Sequence, residues 1–394
     1  MNKNLVFVVN NAAFFVSHRL PIAIHAKKVG YQVSLVTGHS GSDTLEKSAL
    51  QILHDQEIKH YKVAFRSAGM NVFIEIYGLM QLIFVLLKLK PAIVHCASPK
   101  GVLYGGIAAR LANTPSLVLA ITGMGYGFTN TKDKKDAIRR SIVKRLFLVL
   151  LNFIYKHKNK KIIVQNLDDK ALAEDHHFVN NTDVILIKGS GVNLNNYRNI
   201  SLSSKEKLIV LPARMLQDKG IIEFYMTAKQ LKIQGCEWRF VLAGTADYKN
   251  PSSIHKDVIE AWVLEGIVEW LGHVDDMPAL YKKASVVCLP SYREGMSKAL
   301  LEASAAGCAI ITTDVIGCRE SIVPGFNGDL AEAKSVDSLI FSIKTLIDNP
   351  ERIRRYGINS QKLAEDLYDI NMVIDKTMSI YVELNSNLGL IKNG

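Results

Sequence analysis

The sequence predicts an α/β protein built from two doubly wound domains that face a cleft, and three observations predict it. The chain has 394 residues, more than one hydrophobic core usually serves, so two domains of roughly 150 to 200 residues are expected. Short β-rich runs alternate with helical stretches in both halves, the pattern of parallel sheets covered by helices. A polar stretch rich in Gly, Asn and Ser, KGSGVNLNNYRNISLSSKEK at 188–207, separates the halves and has no apolar periodicity.

The first half supplies LVFVVN (5–10), QVSLVTG (32–38), AIVHCAS (92–98), SLVLAITG (116–123) and KIIVQN (161–166) as strands. The second supplies KLIVLPAR (207–214), RFVLAGT (239–245), VEWLG (268–272), ASVVCLPS (284–291) and CAIITTD (308–314). The expected domains are 1–190 and 191–394, with the cleft across the hinge between them. The tail NMVIDKTMSIYVELNSNL (371–388) reads as a final helix of either domain. In such folds ligands sit beyond the carboxyl ends of the strands.

Composition excludes a disordered chain: 48% of residues are apolar, 22% are charged and the mean hydropathy is +0.11. Charge divides unevenly, with 26 Lys and Arg against 12 Asp and Glu in 1–200 (+14) and 22 against 25 in 201–394 (−3). Much of the excess lies in 132–161, where eleven basic residues flank the nine-residue run LFLVLLNFI. A spanning helix needs ~20 residues, so neither this run nor IYGLMQLIFVLL (76–87) is expected to cross a bilayer. Residues 132–161 are then either a core helix with solvated ends or a surface for anionic lipid, where clustered bases gain attraction and apolar neighbours gain burial. Nucleic acid is a weaker reading, because zinc-ligand spacing, RNP aromatics and a recognition-helix pattern are all missing.

The N-terminus MNKNLVFVVNN enters a strand within four residues and has no secretory-signal pattern, which gives a cytoplasmic expectation. Five scattered cysteines, mostly inside apolar runs, suit reduced buried thiols and not disulfides or a metal.

Candidate sites should follow a strand and open a helix, because helix N-terminal N–H groups and their dipole favour anionic ligands. After LIVLPAR, Arg214 and Lys219 stand five positions apart at such a turn. Together a guanidinium and an ammonium suit a diphosphate. After ASVVCLPS, a helix is expected to begin near Gly295–Ser297. That leaves Glu294 in the turn before it and Glu302 about two turns inside. Gly295 permits close approach of a ligand to the backbone, and Ser297 is a candidate cap. A carboxylate at Glu302 suits a ribose diol; its small and apolar neighbours argue against an ordinary surface acid.

These residues carry a resemblance. RxxxxKG after a strand, EGxxxxxLEA about 80 residues later, Gly-Cys-Arg-Glu at 317–320 and FNGDL at 326–330 resemble the carboxyl half of retaining glycosyltransferases of family 4. FFVSHRLPIA (14–23) resembles the start of bacterial enzymes that extend lipid-linked oligosaccharides, in particular N-acetylgalactosaminyltransferases acting on undecaprenyl-diphosphate-linked saccharides. The resemblance implies the GT-B fold of two Rossmann-like domains and a UDP-sugar donor, with N-acetylhexosamine as the expected sugar. It also implies a polyprenyl-linked acceptor and independence of any metal or other cofactor. Arg214 and Lys219 would hold the donor diphosphate, Glu302 the ribose and Glu294 a sugar hydroxyl. Backbone groups of Gly295, Met296 and Ser297 would lie beside sugar or phosphate, and those of Gly272, His273 and Val274 beside the base. Retention would follow front-face departure, with the leaving phosphate oxygen taking the acceptor proton, so the two glutamates are not the acid and nucleophile pair of a glycosidase.

The chain departs from the pattern in three places. Ser297 and Lys298 stand where many relatives have proline and an apolar residue, Met296 replaces an aromatic, and TGMGYGF (122–128) lacks the histidine many members place near the transfer point. His18, with a catalytic role, and Arg19, Lys100, Gly123 and Gly125 are the acceptor-side candidates. A GT-B nucleotide-sugar epimerase and a non-catalytic membrane-associated scaffold stay as alternatives. A nicotinamide dehydrogenase is disfavoured because no GxGxxG follows the first strand.

Overall fold

The computed structural model describes residues 2–39, 43–66, 71–122, 145, 147–198, 200–247, 250 and 252–392. The chain divides into two compact units, Met1–Ser190 with Val373–Gly394, and Gly191–Met372. The final helix, Ile370–Lys392, begins in the second unit and continues in the first. There Asn159 Nδ2 donates to the carbonyl of Leu384 at 2.9 Å.

The first unit holds β1 (Asn4–Val9), β2 (Gln32–His39), β3 (Lys59–Arg66), β4 (Ile93–Ala97), β5 (Ser116–Ile121), β6 (Lys160–Val164) and β7 (Val184–Leu186). They form one parallel sheet in the order β3-β2-β1-β4-β5-β6-β7. Every residue of β4, β5 and β6 is buried, as a strand covered on both faces requires. The second unit holds β8 (Glu206–Pro212), β9 (Arg239–Ala243), β10 (Glu269–Trp270), β11 (Ala284–Leu289), β12 (Ala309–Thr313) and β13 (Gly328–Ala331), parallel in the order β10-β9-β8-β11-β12-β13.

Three strands escaped the sequence pattern for physical reasons. β3, KHYKVAFR, interleaves basic and apolar residues, β7 is only three residues long, and β13 begins with glycine. That glycine is needed, because a Cβ on Gly328 would lie 2.3 Å from the carbonyl oxygen of Ile310 on the neighbouring strand. The stretch 188–207 is also more structured than a free linker. It forms short 3-10 turns at Leu194–Tyr197 and Leu202–Ser204 and buries Tyr197 in the core of the second unit.

The apolar run at 76–87 is part of a longer helix, Val72–Leu89, whose 18 residues are long and apolar enough to cross a membrane by length and composition. Asn71 caps it by accepting from the N–H of Ile74, and Lys90 ends it in a left-handed turn. One face, Glu75, Gly78, Leu82 and Leu86, is buried in the first unit. Gly78 sets the approach, since a Cβ there would stand 2.5 Å from the backbone nitrogen of Phe65. The opposite face leaves Phe73, Ile76, Tyr77, Met80, Phe84 and Leu87 exposed, Phe73 by 85%. This spacing is one helical stripe.

Residues 132–144 lie outside the described residues, and 147–155 are helical with Leu151, Ile154 and Tyr155 buried. Lys160 and Lys161 open β6, are buried, and pair with Asp183 and Glu383. The close packing at Gly78 is open to test. Gly78→Val should overpack the helix against β3 and lower the unfolding free energy by about 1–3 kcal/mol, read as a reduced urea midpoint with an unchanged slope.

Candidate active site

In the second unit the chain steps from β8 outward to β9 and β10, then returns to the other side of β8 as β11, β12 and β13. Strand order reverses between β8 and β11, where an open parallel sheet leaves a crevice at its carboxyl edge. The turns following β8 and β11 flank this crevice and are tied together. Gly220 has φ 72°, and a Cβ on it would meet the carbonyl oxygen of Pro290 at 2.2 Å. Tyr292 N–H and Ser291 Oγ both donate to the carbonyl of Asp218, at 2.9 and 3.1 Å.

Across this junction Lys219 Nζ donates to Glu294 Oε1 at 2.5 Å, with both side chains mostly buried. Burial works against the ammonium, but the Glu294 carboxylate more than offsets it and raises the Lys219 pKa. Arg214 is more open, with 57% of its side chain exposed, and pairs with Asp247 at 2.9 Å. Both cations read from the sequence as a diphosphate clamp are thus held by carboxylates. The two differ in how firmly, since an exposed pair is worth little and a buried one resists separation.

After Glu294 the chain enters the helix Lys298–Ala305 through the buried residues Met296 and Ser297. Ser297 occupies the cap position but makes no side-chain capping bond, contrary to expectation. Glu302 is the fifth residue of this helix, a little over one turn inside and not two. The Glu294–Gly295 peptide is pressed against Gly317 (φ 82°), where a Cβ would lie 2.1 Å from the carbonyl oxygen of Glu294. Glu294 N–H donates to the carbonyl of Ile316, and Gly317 N–H to Glu320 Oε2. The Gly-Cys-Arg-Glu turn thereby fixes the backbone that carries Glu294. Burial raises the Glu302 pKa, opposed by Lys298, whose Nζ stands 3.4 Å away.

Gly272, His273 and Val274 follow β10 at the same carboxyl edge. Gly272 has φ 64° with open space where a Cβ would stand, and His273 is exposed beside Asp275 at 3.2 Å. Sequence reading missed Asp247, which takes up Arg214, and the Tyr292 hydroxyl, which donates to Glu223 at 2.6 Å and anchors the turn before Glu294. The only signal for either was its position just after a strand.

The first-unit candidates are scattered. His18 ends the helix Ala12–His18, stacks on Phe14 at 4.5 Å, and its Nδ1 lies 3.2 Å from the Phe14 carbonyl. Pro21 lies in the first turn of the next helix, Leu20–Lys28, where a missing N–H costs nothing. Arg19, an acceptor-side candidate, is buried at the junction of these helices at 4% exposure. Lys100 does not project as a free phosphate contact, because Glu75, buried in the apolar helix, holds its Nζ at 2.8 Å. Gly123 and Gly125 lie outside the described residues. At the strand-order reversal of this sheet, between β1 and β4, Ser98 Oγ donates to Asn10 Oδ1 at 2.7 Å. Among the described residues no cluster of three or more His, Cys, Asp or Glu is arranged to hold a metal ion.

Two family profiles match the chain, "Glycosyl transferase 4-like" over residues 4–166 and "Glycosyl transferases group 1" over 194–363. The chain is 28% identical to the N,N'-diacetylbacillosaminyl-diphospho-undecaprenol alpha-1,3-N-acetylgalactosaminyltransferase of Campylobacter jejuni, covering 86% of this chain and 89% of that protein. It is 24% identical to the UDP-Gal:alpha-D-GlcNAc-diphosphoundecaprenol alpha-1,3-galactosyltransferase of Escherichia coli, covering 84% and 86%. Anabaena HepE crystallised with UDP and glucose superposes with a TM-score of 0.71 at 16% identity, covering 97% of this chain and all of that one. Sucrose-phosphate synthase from Thermosynechococcus elongatus gives 0.76 at 14% identity, covering 98% and 100%. These likenesses at low identity establish the fold, which is GT-B.

Because burial outweighs the Lys298 pairing at Glu302, the ionised carboxylate costs stability wherever the folded pKa is exceeded, and the cost vanishes below the ordinary value of 4.5. The helical Lys298 pair returns only about 0.3–0.5 kcal/mol. Glu302→Gln should raise Tm by ~1–2 °C at pH 7–8 and leave it unchanged near pH 4, as scanning calorimetry across pH would read.

Proposed function

The chain belongs to the glycosyltransferases of the 4-like and group 1 families, and from that membership we propose that it moves an N-acetylhexosamine from its UDP form to a polyprenyl-diphosphate-linked saccharide with retention. The observation that carries this reading is the Lys219–Glu294 pair at the strand-order reversal of the second sheet. A diphosphate arriving there offers Lys219 a stronger partner than one carboxylate, and Glu294, released, is free to accept from a sugar hydroxyl. Arg214 leaves its exposed pairing with Asp247 at little cost and completes the clamp. Glu302 accepts from the ribose, where hydrogen bonds replace the solvation that burial removed. Gly272, His273 and Val274 border the base.

In the transfer step the bond from the anomeric carbon to the diphosphate oxygen breaks and UDP departs with the electron pair. The acceptor hydroxyl oxygen attacks on the same face, and its proton passes to the departing phosphate oxygen. Lys219 and Arg214 stabilise charge on the leaving diphosphate, the task a divalent ion performs in other transferases. This chemistry needs no cofactor in addition to the nucleotide sugar. His18 stays on the acceptor side. An epimerase would use the same donor groups without an acceptor, but both relatives reported above are named for transfer to diphospho-undecaprenol saccharides.

A polyprenyl acceptor sits in a bilayer, and the enzyme would meet it as a peripheral protein on the cytoplasmic face of the plasma membrane. The exposed stripe of the helix Val72–Leu89 supports docking better than the basic segment 132–161, because it offers contiguous apolar area beside Lys88 and Lys90. With its other face already buried in the first unit, the helix would lie on the membrane without spanning it.

Purified enzyme should transfer radiolabelled sugar from a UDP-N-acetylhexosamine to a polyprenyl-diphosphate saccharide, and Lys219→Ala should lower kcat by about 10²–10³. No transfer to any lipid-linked acceptor across a panel of nucleotide sugars would refute the reading. Phe73→Glu with Phe84→Glu should abolish sedimentation with anionic vesicles while leaving UDP binding intact; unchanged sedimentation would remove this helix as the docking face.

A further inference from the structure

Lys298 is the first residue of the helix Lys298–Ala305, which also carries Glu302, and it stands there against two local preferences. The positive end of a helix dipole disfavours a cation, and an i,i+4 ion pair with the lysine ahead of the glutamate is the weaker of the two orders. The helix supplies no acid in its first turn to offset this, and Ser297 adds no side-chain capping bond. The charge is not relieved by projecting into water either. Only 27% of the Lys298 side chain is exposed, and its Nζ stands 3.4 Å from Glu302 Oε1. Local preferences broken with no local gain are characteristic of functional positions.

The pair bears directly on the role proposed for Glu302. Ribose hydroxyls that donate to this carboxylate compete with Lys298 for it, and a displaced, mostly buried ammonium needs another anion. A nucleotide carries that anion on the same molecule, since its first phosphate is esterified to the ribose. Helical side chains lean toward the N-terminus, so Lys298 swung off Glu302 reaches back toward the turn at Gly295–Ser297. The exchange is favourable, because an i,i+4 pair is weak and a charge-assisted bond to a phosphate oxygen is stronger.

We propose that Lys298 is a third cation of the donor site, which pairs with Glu302 until a ribose takes that carboxylate and then donates to the phosphate attached to the same ribose. The proposal rests on the donor reading above and adds a source of specificity to it. Uridine would displace Lys298 from Glu302 and offer it nothing in return, whereas UDP supplies the replacement. Lys298 thereby favours nucleoside 5′-phosphates over nucleosides, and it does so from the helix that holds the ribose contact and not from the turn that holds Lys219.

Equilibrium dialysis of radiolabelled UDP against the full chain, with uridine as competitor, tests it. Lys298→Met should weaken UDP about tenfold and leave uridine as good a competitor as in wild type or better, because Glu302 no longer has a rival partner. Lys298→Arg should retain most of the UDP affinity. The loss caused by Lys298→Met should persist in a Glu302→Gln background, as a direct phosphate contact requires. UDP affinity unchanged in Lys298→Met, UDP and uridine weakened alike, or a loss that vanishes in Glu302→Gln overturns the proposal and leaves the donor reading standing. Wild type that does not bind UDP overturns the donor reading and this proposal with it. Should Lys298→Met not fold, unchanged UDP affinity in Lys298→Gln overturns the proposal as well.

Discussion

A mostly buried ammonium held by a mostly buried carboxylate across a sheet's strand-order reversal is the constraint on which the second unit depends. Lys219 and Glu294 are 75 residues apart in sequence and meet only because β8 and β11 lie side by side. Neither charge is stable there alone. The surrounding glycines make the meeting possible: Gly220 lets the first turn close on Pro290, and Gly317 lets the Glu294 peptide pack without a side chain between. A ligand that replaces one member must bring negative charge to Lys219 and a donor to Glu294. A nucleotide diphosphate sugar brings both in one molecule.

The first unit handles charge differently. Lys100 and Glu75 neutralise each other inside it, and Lys160 and Lys161 are paired in β6. Arg19 has no such carboxylate partner among the described residues, which sets it apart from the other buried bases described above. The same unit exposes the apolar stripe of Val72–Leu89 to its surroundings. Apolar area of that extent is unfavourable in water and favourable at a lipid surface.

Ten strands were legible from apolar runs bounded by turn residues, and the domain organisation from the break near residue 190. The three missed strands were short, interleaved with charge, or opened by a glycine whose reason lies on the neighbouring strand. Glu294, Glu302, Arg214 and Lys219 were legible as residue types after strands, but their pairing was not, because it arises from sheet order and not from local spacing. The helix Val72–Leu89 was underestimated because Glu75 interrupts its apolar run, and only the fold supplies the partner, Lys100, that makes a carboxylate tolerable there. Arg19 gave no signal of burial; a guanidinium in SHRLP reads as a surface group until the sheet beneath it is known.

The central claim is that Lys219 is held by Glu294 until a diphosphate takes its place, and calorimetric titration of UDP, without sugar, into Glu294→Gln tests it most directly. Freed from its carboxylate, Lys219 should bind UDP at least as tightly as in the wild type, although sugar transfer falls, if Glu294 serves the sugar and not the diphosphate as proposed. A drop in UDP affinity in Glu294→Gln comparable to that in Lys219→Ala would contradict the claim, because Glu294 would then be a support of the diphosphate site and not its placeholder.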